Sequence, residues 1–395
     1  MEQKLVIANM PFDDRKGIVT VYYEDEIPAE IYIEASGSKE MLNNIYVGHV
    51  TKILQNTGAF VRIDDKNEGF LPLSKFKYAI NKNALKNREM KAEDEILVMV
   101  EAEAVKTKNP VLTTELKISG KYFVISSAFK GSVFSHKLGS KEKEHITQII
   151  SAVKLEYGLI VRTIAGEAEA DELIDEANRL SEALDKIIRY GISRTNGTCL
   201  YKADDKKIEK LKSLKSENTK AIVTDNEDIY ESLMQSDADE VIKEKIRIYD
   251  DEQLRLFRLY NFSTILERSL DKKVILKSGA YLIIEQTEAF VCIDVNSGKK
   301  TNKRRDENYI YQVNLEAAKE AARQIRLRQL SGTILIDFIN MKKETLRQQL
   351  IEEFKSFIRR DNISTEVIDI TKLGIMEVTR RKRGRSLIEQ MKCME

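Results

Sequence analysis

The residues whose types and spacing suggest chemistry fall in one stretch, 285–341. It opens EQTEAFVCIDVNSGKK and closes SGTILIDFINM. Each end is a short apolar run carrying one aspartate, Asp294 in the first and Asp337 in the second. Asn296 follows two positions after Asp294. Successive side chains of a strand alternate in direction, so Asn296 is expected on the same side as Asp294. A helical pattern, Asn308 to Leu330, lies between the two runs. Two strands joined by such a helix form a right-handed crossover and lie parallel in one sheet. Both aspartates come late in their strands, so they are expected together at the edge where parallel sheets gather ligands. Two adjacent carboxylates repel unless a cation or a proton sits between them. Two carboxylates and an amide, with no histidine or thiol, are hard oxygen donors that favour Mg²⁺ or Mn²⁺ over zinc. On such a metal a bound water becomes a nucleophile at neutral pH.

The rest of the chain must position these groups. Its 395 residues suffice for two or more domains. Hydrophobic content of 42% supports real cores, and a net charge of +1 names no partner. Local charge is more informative. KKTNKRR (299–305) and RRKRGR (380–385) carry five cations each, and such clusters suit a polyanion. The cysteines, Cys199, Cys292 and Cys393, form no CxxC pair, which points to a reducing cytoplasm. With histidines only at 49, 136 and 145, histidine-based catalysis is not expected. The N-terminus has no signal-peptide pattern, and no run approaches the ~18 apolar residues of a membrane span.

In chain order, residues 1–40 alternate apolar and polar as about three strands, too few for a domain, so their sheet must be completed later. Residues 41–122 hold about five short strands, including one run PVLTTELKI, and suit a small barrel of the OB type. Residues 123–205 alternate strands with helices at about 141–155 and 169–190. Within them Arg162 and Thr163 close a strand; the pairing is able to hold a phosphate, while spacing alone favours a surface salt bridge for the arginine. Residues 206–270 are mostly helical and charged, with one buried strand, AIVTD. They can complete the first sheet, which makes residues 41–205 an insertion. From 271 on, antiparallel hairpins with a turn at Ser278–Gly279 lead into the crossover, a further helix at 343–357, a strand STEVIDIT and a basic closing segment.

Two resemblances are specific. YVGHVTKI, TGAFVRI and EGFLPLSK resemble an S1 RNA-binding domain. Such barrels present aromatics and cations to nucleic acid, which makes Phe60 and Phe70 stacking candidates and Lys106 and Lys108 phosphate candidates. FVCIDVNSGK, NLEAAKEAARQIRLRQLSGTILIDFINM and ITKLGIMEVTRRK, in this order, resemble the catalytic region of the ribonuclease E/G family, and GLIVRT resembles its 5′-sensor.

The resemblance implies a multidomain α/β fold: an RNase H-like domain (1–40 with 206–270), an inserted S1 barrel (41–122), a 5′-sensor region (123–205) and a DNase I-like catalytic domain (271–395). It implies an endoribonuclease cutting single-stranded, A/U-rich RNA, with preference for 5′-monophosphorylated ends, in messenger decay and in ribosomal and transfer RNA maturation. Asp294 and Asp337 fall on the family's Mg²⁺ ligands, Asn296 on its orienting asparagine, and Arg162 with Thr163 on its 5′-monophosphate pocket. Lys299 and Lys300 lie just beyond and are candidates to hold the flanking RNA backbone. The sequence departs from the family in two places. Cys393 stands without the partner cysteine of the family's zinc link, so zinc is not expected and any homodimer is expected to use another surface. The sensor loop carries His136 and Lys137 where relatives tend to carry arginines, and lysine does not copy arginine's bidentate grip. The competing classes are a non-catalytic S1-type RNA-binding factor and a nuclease acting on single-stranded DNA.

Overall fold

A computed structural model describes residues 1–35, 41–80, 90–103, 109–135, 138–251, 253–298, 306–371 and 373–394. The chain divides into two compact units, Met1–Ser38 with Lys207–Glu395, and Lys39–Lys206. Among the described residues no helix is long and apolar enough to cross a membrane.

The first unit contains two sheets. Strands Gln3–Phe12, Arg15–Glu24 and Ile27–Ala35 form an antiparallel meander. Its reversals use Asp13, Asp25 and Glu26 at positive φ. Thr219–Thr224 pairs parallel to the first strand and Ile246–Ile248 parallel to that, completing five strands. The run LVIA is apolar without alternation because both faces of its strand are buried. Leu5 and Ile7 pack with Leu211, Ile222 and Leu233 on one side. Val6 and Ala8 pack with Phe262 and Leu266 on the other.

The second sheet has six strands in the order Lys273–Ile275, Tyr281–Gln286, Phe290–Asn296, Gly332–Asp337, Ile375–Arg380, Thr365–Ile370. Phe290–Asn296 and Gly332–Asp337 pair in parallel, and the other neighbours are antiparallel. The crossover between the parallel pair is the helix Glu307–Leu327. Asp306 opens it, accepting from the Tyr309 N–H at 2.7 Å. The chain leaves it through Gln329 at positive φ, and Gly332, also at positive φ, begins the next strand. This helix and Glu344–Ile358 cover one sheet face, burying Leu282, Ile284, Val291, Ile293, Val295, Ile334, Ile336, Met376 and Val378. The alternate residues stand on the other face, half-buried or exposed.

Ion pairs sit inside this unit. Arg326 meets Glu24 at 2.8 Å, Lys210 meets Glu30 at 2.8 Å, and Arg380 meets Asp361 at 2.6 Å. The Lys210 ammonium also lies 3.4 Å from the Tyr22 ring centroid. By sequence Arg380 belongs to the basic run that suits a polyanion. It is only 3% exposed and donates to Asp361 and the Leu330 carbonyl, so it serves the interior.

In the second unit, strands Ile45–Leu54, Gly58–Arg62, Glu68–Pro72, Glu95–Ala102 and Val111–Thr113 close into a five-stranded barrel. Its core includes Val50, Ala59, Val61, Leu71, Val98 and Leu112. Cys199–Tyr201 adds to the edge of Ile45–Leu54. The run PVLTTELKI is two strands rather than one. Val111–Thr113 belongs to the barrel, whereas Lys117–Ser119 joins a separate sheet with Phe123–Ser126, Gly158–Val161 and Ser132–Phe134. The chain bends between them at Thr113, whose hydroxyl accepts from the Glu115 N–H. Helices Ser140–Ser151 and Ala170–Ser193 pack on that sheet. From the longer helix, the Glu176 carboxylate accepts from the N–H groups of Lys121, Tyr122 and Phe123.

Burial alone would raise the Glu30 carboxyl, but Lys210 and Arg326, with hydrogen bonds from Lys210 and Tyr32, hold it below the ordinary range. A depressed folded-state value contributes stability that is present above the unfolded value, about 4.3. That contribution is lost as pH falls through the folded value. Glu30→Gln is therefore expected to flatten this acid limb and to cost about 3–5 kcal/mol at neutral pH, because Lys210 stays buried without its partner. Denaturant unfolding at neutral and acid pH measures both.

Candidate active site

Asp294 and Asp337 are direct register partners across the parallel strand pair. Both are exposed, on the sheet face the helices leave open. Neighbouring strands lie about 4.8 Å apart, so the two carboxylates stand side by side. Asn296 ends the same strand as Asp294, and its Nδ2 donates to Asp294 Oδ2 at 2.6 Å. All three residues singled out for chemistry thus come together. Like charges placed side by side repel, and a bound cation would relieve that repulsion. Among the described residues, no three or more His, Cys, Asp or Glu gather as a metal site. A cation held by two carboxylates fills its remaining positions with water, which suits Mg²⁺.

The loops that leave these strands are fixed from the crossover helix. Asn314 is fully buried in it. Its Nδ2 donates to the Ile339 carbonyl at 2.7 Å, and its Oδ1 accepts from the Ile339 N–H at 3.0 Å. One side chain thereby pins the backbone two residues beyond Asp337. On the other strand, Gly298 has φ +71° two residues beyond Asn296, and a Cβ there would stand 2.3 Å from the Gly279 carbonyl oxygen. That close approach requires glycine. The turn it touches is held by the helix in turn, since the Ser278 N–H donates to the Glu316 carboxylate at 3.3 Å. Asn314 and Gly298 were not singled out from sequence. The available signal was a lone asparagine on the apolar face of NLEAAKEAA and a glycine just past the DxN motif.

Phe60 and Phe70 are register partners on adjacent barrel strands. Their rings meet edge to face at 5.8 Å and are half-buried. The residues beside them, Ala59, Val61 and Leu71, fill the barrel core, so the phenylalanines face outward. Lys52, opposite Phe60, and Arg62 are exposed.

Arg162 directly follows Gly158–Val161, and its Nη1 donates to the Gly120 carbonyl at 2.8 Å. Thr163 is exposed, and its hydroxyl lies 3.0 Å from that of Ser135, the residue after the parallel strand Ser132–Phe134. Lys106, Lys108, Lys299, Lys300, the rest of the 299–305 cluster, His136 and Lys137 lie outside the described residues.

Comparison with known proteins now bears on this arrangement. Residues 117–383 match the model of the ribonuclease E/G family. The chain belongs to the ribonuclease E/G family, whose members are endoribonucleases. Residues 39–115 match the S1 RNA binding domain, and that match ends between the two short strands of PVLTTELKI. The chain is 28% identical to ribonuclease E of Synechocystis, over 98% of its own length and 58% of that protein's. It is 28% identical to ribonuclease G of Salmonella typhimurium, over 100% of its length and 83% of that protein's. A ribonuclease E/G-like protein of Pyropia yezoensis is 29% identical, over 88% of this chain and 70% of its own.

For this ribonuclease E/G relative, Asn314→Ala is expected to orphan the Ile339 N–H and carbonyl. The cost is about 1–3 kcal/mol of stability, with weaker divalent-cation binding at the aspartates. Denaturant unfolding and calorimetric Mg²⁺ titration of the folded variant measure the two effects separately.

Proposed function

We propose that this protein is a Mg²⁺-dependent endoribonuclease that cuts single-stranded, A/U-rich RNA and favours 5′-monophosphorylated ends, acting in ribosomal and transfer RNA maturation and messenger decay. The observation that carries the proposal is the direct pairing of Asp294 with Asp337, with Asn296 bonded to the first. Mn²⁺ would fit the same oxygen donors.

When bound, Mg²⁺ supplies an activated water and neutralises charge growing on the phosphate oxygens. Asp294 and Asp337 hold it, and the Asn296 amide fixes the Asp294 carboxylate. The Phe60 and Phe70 rings stack bases. Lys106, Lys108, Lys299 and Lys300 hold phosphates. Arg162, braced on the Gly120 carbonyl, takes the 5′-phosphate with the Thr163 hydroxyl. The finer fold assignment belongs to the same proposal. Three antiparallel strands followed by two parallel ones support an RNase H-like sheet for 1–40 with 206–270. The helix-covered six-stranded sheet supports a DNase I-like domain for 271–395. The barrel and the sheet beside it support the S1 and 5′-sensor regions, 41–122 and 123–205.

A short single-stranded A/U-rich RNA with a 5′-monophosphate is expected to be cut with Mg²⁺ and left intact with EDTA. Asp294→Asn and Asp337→Asn are each expected to slow cleavage by at least about 10²-fold, the scale set by losing one electrostatic group at a transition state. Unchanged cleavage in either variant overturns its ligand role. Binding without cleavage in the wild type selects the non-catalytic RNA-binding factor.

The 5′ end gives a second expected outcome. Wild type cuts the 5′-monophosphate substrate faster than its 5′-hydroxyl counterpart, and Arg162→Lys, which lacks the bidentate fork, narrows the ratio towards one. Equal rates in the wild type overturn the sensor assignment.

A further inference from the structure

The open face of the six-stranded sheet carries an aromatic beside the aspartates that neither the family match nor the DxN motif assigns. Tyr281 is the register partner of Asn296 across an antiparallel pair. Partners of that kind share a face and hold their Cβ atoms about 4.5–5.5 Å apart. Asp294 is then the diagonal neighbour, about 7–8 Å away and still within reach of an aromatic side chain. The sheet core does not require an aromatic here, because Leu282 and Ile284 fill it from the same strand. Tyr281 instead stands half-buried on the uncovered side. On the edge strand, Lys273 and Ile275 are exposed and share that face, opposite Ile283 and Tyr281. The Lys273 ammonium lies 4.1 Å from the Tyr281 ring centroid. The backbone beneath is closely packed, with Gly298 against Gly279, two residues before Tyr281.

An exposed aromatic ring with a cation seated over one face, as Lys273 sits over Tyr281, keeps its other face for an unpaired base and a positive charge for the adjoining phosphate. We propose that Tyr281 and Lys273 form a base-stacking subsite for the nucleotide next to the scissile phosphate: Tyr281 takes the base and Lys273 the phosphate. This rests on the endoribonuclease reading and deepens it. Stacking is tolerant of base identity, so the subsite positions an unpaired nucleotide without selecting a sequence.

The test uses the full chain and a short single-stranded A/U-rich RNA, intact or abasic immediately 5′ or 3′ of the cleaved bond. Tyr281→Ala and Tyr281→Leu are expected to raise KM about 5- to 150-fold, the range for one stacked base, with a smaller change in kcat. Tyr281→Phe keeps the ring and is expected to restore KM. The abasic substrate is expected to cost the wild type a similar factor at one of the two positions and to add nothing in Tyr281→Ala. Lys273→Met is expected to reduce the slope of log KM against log salt by about 1. A binding arm does not depend on cleavage. In Asp294→Asn, 2-aminopurine scanned along the RNA is expected to be quenched on binding at one position, and adding Tyr281→Ala abolishes the quench. If the wild type fails to cut RNA, the endoribonuclease reading falls while the quench still decides the subsite. Additive losses from the abasic site and Tyr281→Ala, or a KM and quench that both Tyr281→Ala and Tyr281→Leu leave unchanged, overturn the subsite.

Discussion

Two like charges held side by side are the constraint around which the second sheet is built. Asp294 and Asp337 can face each other only if their strands are neighbours, run parallel and share register. The other pairings of that sheet are antiparallel, and any of them could be closed by a short turn. A parallel pair cannot, so it needs a crossover of a dozen or more residues. Glu307–Leu327 supplies it and lies on one face. The opposite face is left with the aspartates, Asn296 and Tyr281. The same element that brings the carboxylates together therefore keeps the surface in front of them uncovered within this sheet.

That helix does more than connect. Its N-terminal half fixes the loops around the site: the Glu307 carboxylate accepts from the Lys342 N–H, Asn314 clasps Ile339 and Glu316 holds Ser278. Its C-terminal half ties into the first sheet, through Arg326 to Glu24 and Arg323 Nη1 to the Pro28 carbonyl at 2.6 Å. Removing one member of a buried charged pair costs more than the pair contributes net. These contacts therefore fix the helix position more than they add stability, and a shift of the helix would move both loops beyond the aspartates together.

The juxtaposition of Asp294, Asn296 and Asp337 was legible because it is local. DxN fixes two groups by strand alternation, and the helix between two apolar runs fixes the third. The outward-facing phenylalanines were legible through the S1 resemblance, since a lone phenylalanine in a strand carries no direction. What could not be read depends on tertiary partners. Arg380 looks like its basic neighbours until Asp361 appears beside it. Asn314 looks like a polar interruption of a helix face until the Ile339 backbone meets both ends of its amide. PVLTTELKI has the pattern of one strand, and only the bend held by Thr113 sends its halves to different sheets. Tyr281 lies in an alternating strand whose two faces periodicity alone cannot rank.

The two aromatic surfaces suggest why single strands would be preferred without any reading of a groove. Phe60 and Phe70 in one unit, and Tyr281 in the other, offer π-faces rather than hydrogen-bonding edges. A base inside a duplex is already stacked on its neighbours and cannot use such a face without being unstacked, at a cost of a few kcal/mol. An unpaired base avoids most of that cost and gains about 1–3 kcal/mol per contact. On the proposed reading, discrimination against duplex follows from the choice of contact, and weak base preference follows from the same choice. An A/U preference then rests on the ease with which A/U-rich segments stay unpaired. On that reading the carboxylates need only a phosphate brought within reach, and the aromatic diagonal to Asp294 brings it.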